Sequence, residues 1–211
     1  MAVRLVIFDL DGTLTKCPNI WRYLHTELGT WSQGKLNAKR YLNGEIDYRE
    51  WAELDCALWR GVKLTKILDI IDRVEFVDGA LETVTRLKRE GIKVGVVSAG
   101  ISLMTDRAVR KLNLDLALSN EILVEDGVLT GGIITKVLLD EKPNIIKDIA
   151  NSTGIPMSDV ATVGDNVFDM PKESGLKIAF NPKSRGAIEV ADFIVGGSDL
   201  RDILKIILPE Q

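Results

Sequence analysis

Short runs of apolar, mostly β-branched residues alternate with helical segments along this 211-residue chain, and this alternation constrains its fold more than any other feature. Residues 4–9 form the first run and are typical of a strand that is buried on both faces. The pattern returns in four later runs, at residues 92–97, 160–163, 176–180 and 193–195. Strands separated by helices predict an α/β fold with a doubly wound, mostly parallel, Rossmann-like sheet.

Local signals place several elements between these strands. One helix is predicted to follow Asp78 as its N-cap and to stop at Gly91. The side chains predicted to pack that helix on the sheet are Leu81, Val84 and Leu87. A second helix is predicted from about residue 143 to 154, where a proline opens it and a glycine follows it. The sequence EILVEDGVLTGG, at residues 121–132, predicts a β-hairpin with its turn at Asp-Gly.

Residues 18–74 show helical spacing without a strong strand signal. We interpret residues 17–74 as a helical cap domain, here called the cap segment, inserted into a core domain of residues 1–16 and 75–211. Because the cap segment directly follows the first predicted loop, it is expected to cover that loop and exclude water. All four tryptophans lie in it: Trp21, Trp31, Trp51 and Trp59. They are predicted to form the core of the cap, and the alternative is a wall for an aromatic or sugar substrate.

Composition narrows the possible partners and chemistries. The net charge is −4 and no basic run is present, so the sequence gives no electrostatic footprint for nucleic acid. His25 is the only histidine, and Cys17 and Cys56 form no CxxC pair, which disfavours zinc and histidine-centred triads. The short apolar stretch at the amino terminus fits neither a secretion signal nor a membrane span. We therefore expect a cytoplasmic monomer or homodimer that acts on a small molecule, without nucleic-acid or membrane partners.

Polar residues stand where the predicted core strands end. Asp9 and Asp11 follow the first strand, and Gly12 allows the turn that brings both side chains into one space. In open α/β sheets, ligands bind outside the carboxyl ends of the strands. The other candidates near this edge are Thr13, Ser98, Ala99, Gly100, Lys142, Asp165, Asn166 and Asp169. The alternative interpretation of the first group is a capped turn, since Asp and Gly are common turn residues.

Several carboxylates at one sheet edge require a positive partner. Two of them about 4 Å apart repel by about 4 kcal/mol at an intermediate dielectric constant. Oxygen ligands without histidine or thiolate select a hard cation, and a site that also holds phosphate favours Mg²⁺, which shares its coordination shell with the substrate. The residues therefore predict Mg²⁺ as the cofactor.

Four motifs in this order resemble the haloacid dehalogenase superfamily, and most closely its phosphoserine phosphatase-like branch. The motifs are DLDGTL at residues 9–14, VVSAG at 96–100, Lys142-Pro143, and GDNVFDM at 164–170. The predicted hairpin is similar to one found in that branch between the second and third motifs. The resemblance covers nearly the whole predicted core and implies a Mg²⁺-dependent phosphomonoester hydrolase that acts through an aspartyl phosphate on a small phosphorylated metabolite.

The resemblance also implies roles for single residues. Asp9 is implied to be nucleophile and metal ligand, and Asp11 the general acid and base, with its carbonyl oxygen on the metal. Asp165 is implied to be a further metal ligand. Asn166 and Asp169 are expected to hydrogen-bond to these groups without contacting the substrate. Asp169 is expected either to lie in the outer shell of the metal or to accept the hydrogen bond that orients Lys142. The implied phosphate-binding residues are Thr13, Ser98, Ala99, Gly100 and Lys142.

The resemblance leaves the reaction and the substrate open at two points. A phosphotransferase or phosphomutase would use the same aspartyl phosphate, and a catalytically silent phosphate-binding protein would keep the same motifs. Phosphoserine phosphatases carry a cap glutamate after the first motif, whereas residues 16–19 read KCPN. They also carry a cap arginine for the substrate carboxylate, and no arginine of residues 49–60 aligns with it. The sequence therefore does not favour phosphoserine as the substrate.

Overall fold

A seven-stranded sheet forms the centre of the computed structural model, which describes residues 2–208. Its strands are β1 (Leu5–Phe8), β2 (Lys93–Ile101), β3 (Leu116–Glu125), β4 (Val128–Ile134), β5 (Val160–Gly164), β6 (Leu176–Phe180) and β7 (Phe193–Val195). They lie in the order β4-β3-β2-β1-β5-β6-β7, and all neighbours are parallel except β3 and β4. This arrangement confirms the predicted mostly parallel α/β fold.

The helices fall into a group before β2 and a group that alternates with the strands. The helices are α1 (Ile20–Glu27), α2 (Trp31–Leu42), α3 (Tyr48–Ala57), α4 (Leu64–Asp72), α5 (Ala80–Arg89), α6 (Ser102–Leu112), α7 (Lys142–Thr153), α8 (Arg185–Val190) and α9 (Leu204–Ile207). Within the described part of the chain, none of them combines the length and the apolar character that crossing a membrane requires.

The central strand β1 fixes where the polar strand ends meet. All four of its residues are buried, as the apolar run predicts. Its last residue, Phe8, pairs with Val96 of β2 on one side and with Val163 of β5 on the other. The chain segments that follow these three strands therefore emerge side by side at one edge of the sheet. The strand β2 runs beyond the predicted residue 97 to Ile101, with an irregular register against β3.

Two details of helix α5 differ from the sequence prediction. Its N-cap is Gly79 and not Asp78, because the chain enters the helix with a left-handed φ of 74° that glycine adopts without strain. Leu81 is 50% exposed, whereas Val84 and Leu87 are buried. The buried arc also includes Ala80, which stands four residues before Val84 and seven before Leu87, so Leu81 lies beside the arc instead of inside it.

The predicted hairpin and the predicted helix after residue 142 are both present. Strands β3 and β4 are antiparallel, and Asp126 and Gly127 between them have positive φ angles of 48° and 75°, as a tight hairpin turn requires. Helix α7 carries a proline in its first turn and ends at Gly154, whose φ is 67°. The first half of β3 was not predicted, because only part of its surface is buried and it lacks a continuous apolar run.

The cap segment holds helices α1 to α4 and shares one continuous hydrophobic cluster with the sheet. It is also tied to the hairpin, since the Gly61 and Leu129 backbones hydrogen-bond at 2.9 Å. Of its tryptophans, Trp21 and Trp59 are buried and stacked, whereas Trp31 and Trp51 are partly exposed. The division into a cap domain and a core domain stays a prediction, and its residues 1 and 209–211 lie outside the described range.

His25 has buried polar partners inside the cap segment. Its Nδ1 lies 2.7 Å from Thr30 Oγ1, and its Nε2 lies 3.1 Å from Asp55 Oδ2. Asn37 Nδ2 donates a hydrogen bond of 2.8 Å to Asp55 Oδ1. The His25 side chain is packed inside the cap, since its exposure is 1%. The sequence revealed no partner, because helix packing brings together residues that are up to 30 positions apart.

Gly34 allows helix α2 to approach the ring of His25, because a Cβ added there would lie 2.9 Å from two ring atoms. Alanine is favoured over glycine in a helix by about 1 kcal/mol. Overpacking typically costs about 1–3 kcal/mol, and this ring is held by Thr30 and Asp55. We expect Gly34→Ala to lower the free energy of unfolding by about 1 kcal/mol in urea titrations. The control is the exposed Lys35→Ala, and a more stable Gly34→Ala protein would contradict this packing.

Candidate active site

Asp9 lies directly after β1 and is held by two side chains. Its Oδ1 accepts a hydrogen bond of 2.7 Å from Lys142 Nζ, and its Oδ2 accepts one of 3.4 Å from Thr13 Oγ1. The side chain is 9% exposed, and it faces a cavity of about 260 Å³ at the carboxyl edge of the sheet. Thr13 is fully buried behind Asp9 and does not line this cavity, so its contact is with Asp9.

Lys142 stands at the start of α7, where the proline that follows fits the first helical turn. Its ammonium group lies between two carboxylates, 2.7 Å from Asp9 and 2.5 Å from Asp169. Burial alone would lower the pKa of Lys142, but the charges of Asp169 and Asp9 outweigh burial and raise the pKa above its usual value. Lys142 therefore carries a fixed positive charge beside Asp9.

Asp169 connects this lysine to the loop after β5. Its Oδ1 accepts from Lys142, and its Oδ2 accepts a 2.9 Å hydrogen bond from the backbone N–H of Asn166. The Asn166 side chain in turn accepts from the Phe168 N–H, so these residues form a reciprocal cap on a short 3₁₀ turn. Both Asp169 oxygens are used in this way, which fits a group that orients Lys142 better than a free metal ligand.

Asp11 lies beside Asp9 on the same loop. Its Oδ2 accepts a 2.7 Å hydrogen bond from the N–H of Ile20, the first residue of α1. Its buried Oδ1 has no hydrogen-bond partner among the described residues. Burial, together with repulsion from Asp9, raises the pKa of Asp11 to about 7. A carboxyl group that changes its protonation state near neutral pH is suited to giving and taking a proton.

Asp165 completes a group of carboxylates that fits a hard cation. Oxygens of Asp9, Asp165 and Asp169 all lie within 4.8 Å of one another. Burial, and then the charge of Asp9, raises the pKa of Asp165. With Asp11, the cavity holds four carboxyl groups and two ammonium groups, those of Lys142 and Lys183. When all four carboxyl groups are ionised, two negative charges have no positive partner. The donor set is all oxygen, so charge and chemistry both fit Mg²⁺.

The carboxyl end of β2 is held by hydrogen bonds to the carbonyl group of Ala99. Three donors converge on the Ala99 carbonyl oxygen: Trp21 Nε1 at 3.2 Å, Tyr48 Oη at 2.7 Å and Asn120 Nδ2 at 3.0 Å. Ser98 is buried, and its Oγ accepts a 3.0 Å hydrogen bond from Gly100 N–H. These contacts fix the orientation of the end of β2 at the wall of the cavity.

The structure brings nearly all the predicted site residues to one cavity. It is lined by Asp9, Asp11, Ser98, Ala99, Gly100, Lys142, Asp165, Asn166 and Asp169, together with residues of the cap segment. The sequence analysis missed Lys183, whose ammonium group contacts Asp165. Because Lys183 closely follows β6, the strand-end rule could have found it. Tyr48 and Asn120 gave no sequence signal, since their role depends on a contact with a backbone carbonyl.

Comparisons with known proteins identify the family of this chain. A family model described as haloacid dehalogenase-like hydrolase matches residues 3–171. The chain is 35% identical over 207 residues to a phosphoserine phosphatase of Methanocaldococcus jannaschii, with 97% of each chain covered. It is 38% identical over 183 residues to a phosphoserine phosphatase of Archaeoglobus fulgidus, which covers 85% of this chain and 53% of that relative. The chain thus spans about half of the second relative and nearly all of the first.

A solved structure extends the agreement to three dimensions. It is described as a phospho-aspartyl intermediate analogue of phosphoserine phosphatase, and it is 33% identical with a TM-score of 0.83, covering 98% of this chain and 100% of that chain. The family model covers well over half of the 211 residues, and the relatives exceed 30% identity over nearly all of them. This chain is therefore a haloacid dehalogenase-like hydrolase of the phosphoserine phosphatase branch.

Proposed function

We propose that this phosphatase hydrolyses small-molecule phosphate monoesters with Asp9 as the nucleophile and Asp11 as the general acid and base. One observation carries the proposal: Asp9 and Asp11 line the same cavity, with the buried ammonium group of Lys142 at 2.7 Å from Asp9. A carboxylate so placed can attack phosphorus, while fixed positive charge stabilises the equatorial oxygens of the transferring group.

The reaction follows from these positions in two steps. An Asp9 oxygen attacks phosphorus, the ester P–O bond breaks, and protonated Asp11 gives its proton to the leaving alkoxide. Asp11 then takes a proton from water, whose oxygen attacks the phosphorus of the aspartyl phosphate. The bond between Asp9 and phosphorus breaks, which restores the Asp9 carboxylate and releases inorganic phosphate. One carboxyl group can serve both steps, because it ends the first step in the state that the second requires.

The carboxylates of Asp9 and Asp165 and the carbonyl oxygen of Asp11 are the proposed Mg²⁺ ligands. When bound, the ion supplies positive charge to the phosphate oxygens. Asp169 holds Lys142, and residues Ser98 to Gly100 at the end of β2 are proposed to contact the phosphate. Thr13, which was expected to bind phosphate, is proposed instead to support Asp9 through its hydrogen bond.

The cap segment is proposed to close the site against water. Trp21, Tyr48 and Trp51 of the cap line the catalytic cavity with the core residues, and two of them bond to Ala99. Excluding water strengthens the electrostatic interactions inside the cavity and protects the aspartyl phosphate from uncontrolled hydrolysis.

Phosphate release tests the proposal directly. The purified protein with Mg²⁺ is expected to release inorganic phosphate from 4-nitrophenyl phosphate and from members of a phosphate-ester panel. Adding alcohol acceptors separates hydrolysis from transfer: a hydrolase releases one phosphate for each alcohol formed, whereas a phosphotransferase or mutase yields new ester in its place. No turnover of any ester would support a silent phosphate-binding protein instead.

Lys142→Ala is expected to reduce kcat by about 10²-fold, because it removes one fixed charge that stabilises the transition state. It also leaves Asp9 and Asp169 without their buried partner, and breaking such a pair costs about 3–5 kcal/mol of stability. Steady-state kinetics and urea unfolding measure the two effects. The control is Lys147→Ala, which removes a partly exposed lysine of the same helix that lies outside the cavity. A Lys142→Ala enzyme with unchanged kcat would remove Lys142 from the catalytic group.

A further inference from the structure

A second, larger cavity adjoins the catalytic cavity and is lined mostly by residues of the cap segment. Its volume is about 740 Å³, against about 260 Å³ for the catalytic cavity. The two share the wall residues Pro18, Asn19, Trp21, Trp51 and Lys183. Pockets of roughly 300–1,000 Å³ are typical for small-molecule ligands. No step of the proposed reaction uses the residues that line only the larger cavity. Because this cavity adjoins the catalytic one, it can hold the part of the substrate that lies beyond the phosphate.

The wall of the larger cavity contains four tryptophan and tyrosine side chains among charged and smaller residues. Trp31 and Trp51 are only partly buried in the fold, and both line this cavity. Trp21 and Tyr23 add further aromatic surface. Trp51 stacks on Tyr41 with ring centroids 4.7 Å apart, and Arg22 lies over the Trp31 ring. A planar apolar ligand would pack on the remaining surface of these two partly exposed rings. The position of Trp31 and Trp51 favours the alternative in which tryptophans form a wall for an aromatic substrate.

The buried polar residues of the wall are His25 and Asp55. Asp55 is 2% exposed, and its carboxyl oxygens face Asn37 Nδ2 at 2.8 Å and His25 Nε2 at 3.1 Å. An ionised carboxylate offers about four acceptor positions, so these contacts leave positions for a ligand donor. Trp51 Nε1 is buried and has no hydrogen-bond partner among residues 2–208. A buried, unpaired donor at a cavity wall points to a ligand.

The charges around the cavity disfavour a carboxylate in the ligand. Asp55 is the buried charge of the wall, and a carboxylate beside it would be repelled. The lysines and one arginine of the wall are paired: Lys16 with Glu75 and Asp78, Arg73 with Glu27, and Lys183 with Asp165. Arg22 is exposed and lies over the Trp31 ring at 5.2 Å from the centroid. No buried unpaired cation among the described residues therefore lines this cavity.

We propose that the substrate is a phosphate monoester whose alcohol part is an aromatic ring with a hydrogen-bond donor and without a carboxylate. The ring lies in the larger cavity against Trp51 and Trp31, and the donor bonds to Asp55. This inference rests on the phosphatase function proposed above and names its substrate class. Asp55 is then a specificity-determining residue, since a site that binds a substrate donor discriminates against analogues that lack it.

Three aryl esters with leaving groups of similar acidity test the proposal: tyramine phosphate, phosphotyrosine and phenyl phosphate. The first has a ring and a donor, the second adds a carboxylate, and the third lacks both substituents. We expect kcat/KM for tyramine phosphate to exceed that for each of the other two, and that for phosphoserine, by about tenfold or more. Equal values for tyramine phosphate and phosphotyrosine, or a preference for phosphoserine, would overturn the proposal.

Two variants locate the effect in the cavity. Asp55→Asn keeps the shape of the side chain and removes its charge, and it is expected to lower the ratio of kcat/KM for tyramine phosphate to phenyl phosphate about tenfold. Ala38→Leu fills part of the cavity and is expected to lower the ratio for tyramine phosphate to phosphoethanolamine. Lys39→Leu, exposed on the same helix, is the matched control and leaves both ratios unchanged. Unchanged ratios in the first two variants would contradict the assigned wall.

Binding measurements separate this inference from the phosphatase function. Calorimetric titration with tyramine and with tyrosine needs no turnover, and we expect tyramine to bind more tightly by about tenfold or more. If the protein hydrolysed none of the esters but bound tyramine in this way, the phosphatase function would fall and the cavity assignment would stand. If it hydrolysed phosphoserine well and bound tyramine no better than tyrosine, the reverse would hold.

Discussion

Replacing Asp9 with asparagine is expected to reduce kcat by at least about 10⁴-fold, because loss of a covalent nucleophile removes the aspartyl phosphate route altogether. The amide has nearly the same shape and can still accept a hydrogen bond from Lys142, which keeps Asp169 as its second partner. We therefore expect a folded protein with a cooperative thermal transition. Phosphate release and circular dichroism measure the two properties on the same sample.

The matched control for this variant is Asp148→Asn. Asp148 is an exposed residue of α7 that does not line the catalytic cavity. This substitution makes the same chemical change outside the cavity and should leave kcat within about twofold, as surface substitutions have small effects. If Asp9→Asn retained most of the activity while remaining folded, Asp9 would not be the nucleophile. If it were unfolded, a second variant, Asp9→Glu, would test the position with the charge kept.

Asp11→Asn is expected to reduce kcat by about 10³-fold for alkyl phosphates, within the usual range for a general acid and base. Asparagine cannot protonate the leaving alkoxide, and it cannot take a proton from the attacking water. The buried carboxyl group has a pKa raised to about 7, so the wild-type residue supplies both protonation states near neutral pH. A substrate whose leaving group needs no proton should therefore undergo the first step in this variant but not the second.

4-Nitrophenyl phosphate makes this separation visible, because nitrophenolate leaves without a proton. With this substrate, Asp11→Asn should keep a burst of nitrophenolate about equal to the enzyme concentration, followed by slow turnover, since the first step survives and the second does not. The exposed Asp106→Asn is the control. Slow turnover without a burst would assign Asp11 to another role, such as support of Asp9.

The strand ends could be predicted from the sequence because the signals there are local. The apolar run at residues 4–9 indicates a buried strand without any knowledge of the helices that cover it, and Asp9 and Asp11 stand at its carboxyl end. Parallel pairing of neighbouring strands then places Ser98 and Asp165 at the same edge without any knowledge of the loops. For this reason the sequence predicted which residues meet at this edge but not the contacts between them.

The contacts that sequence reasoning missed depend on the tertiary packing of the cap segment. The Ala99 carbonyl accepts bonds from Trp21 and Tyr48, which are more than 50 positions away. The pair of His25 and Asp55 forms because α1 and α3 pack together, and neither residue has a local motif. A tryptophan at helical spacing looks the same in sequence whether it fills a core, as Trp59 does, or lines a cavity.

The central claim is that Asp9 carries the phosphoryl group between the two steps. Rapid acid quenching during turnover, borohydride reduction and peptide mass spectrometry test it most directly, because reduction of an acyl phosphate converts the aspartyl side chain to homoserine. We predict homoserine at position 9 in quenched samples that contained substrate and Mg²⁺, and aspartate at that position in samples without substrate. Unmodified Asp9 in all samples, or a phosphoryl group on another residue, would contradict the account.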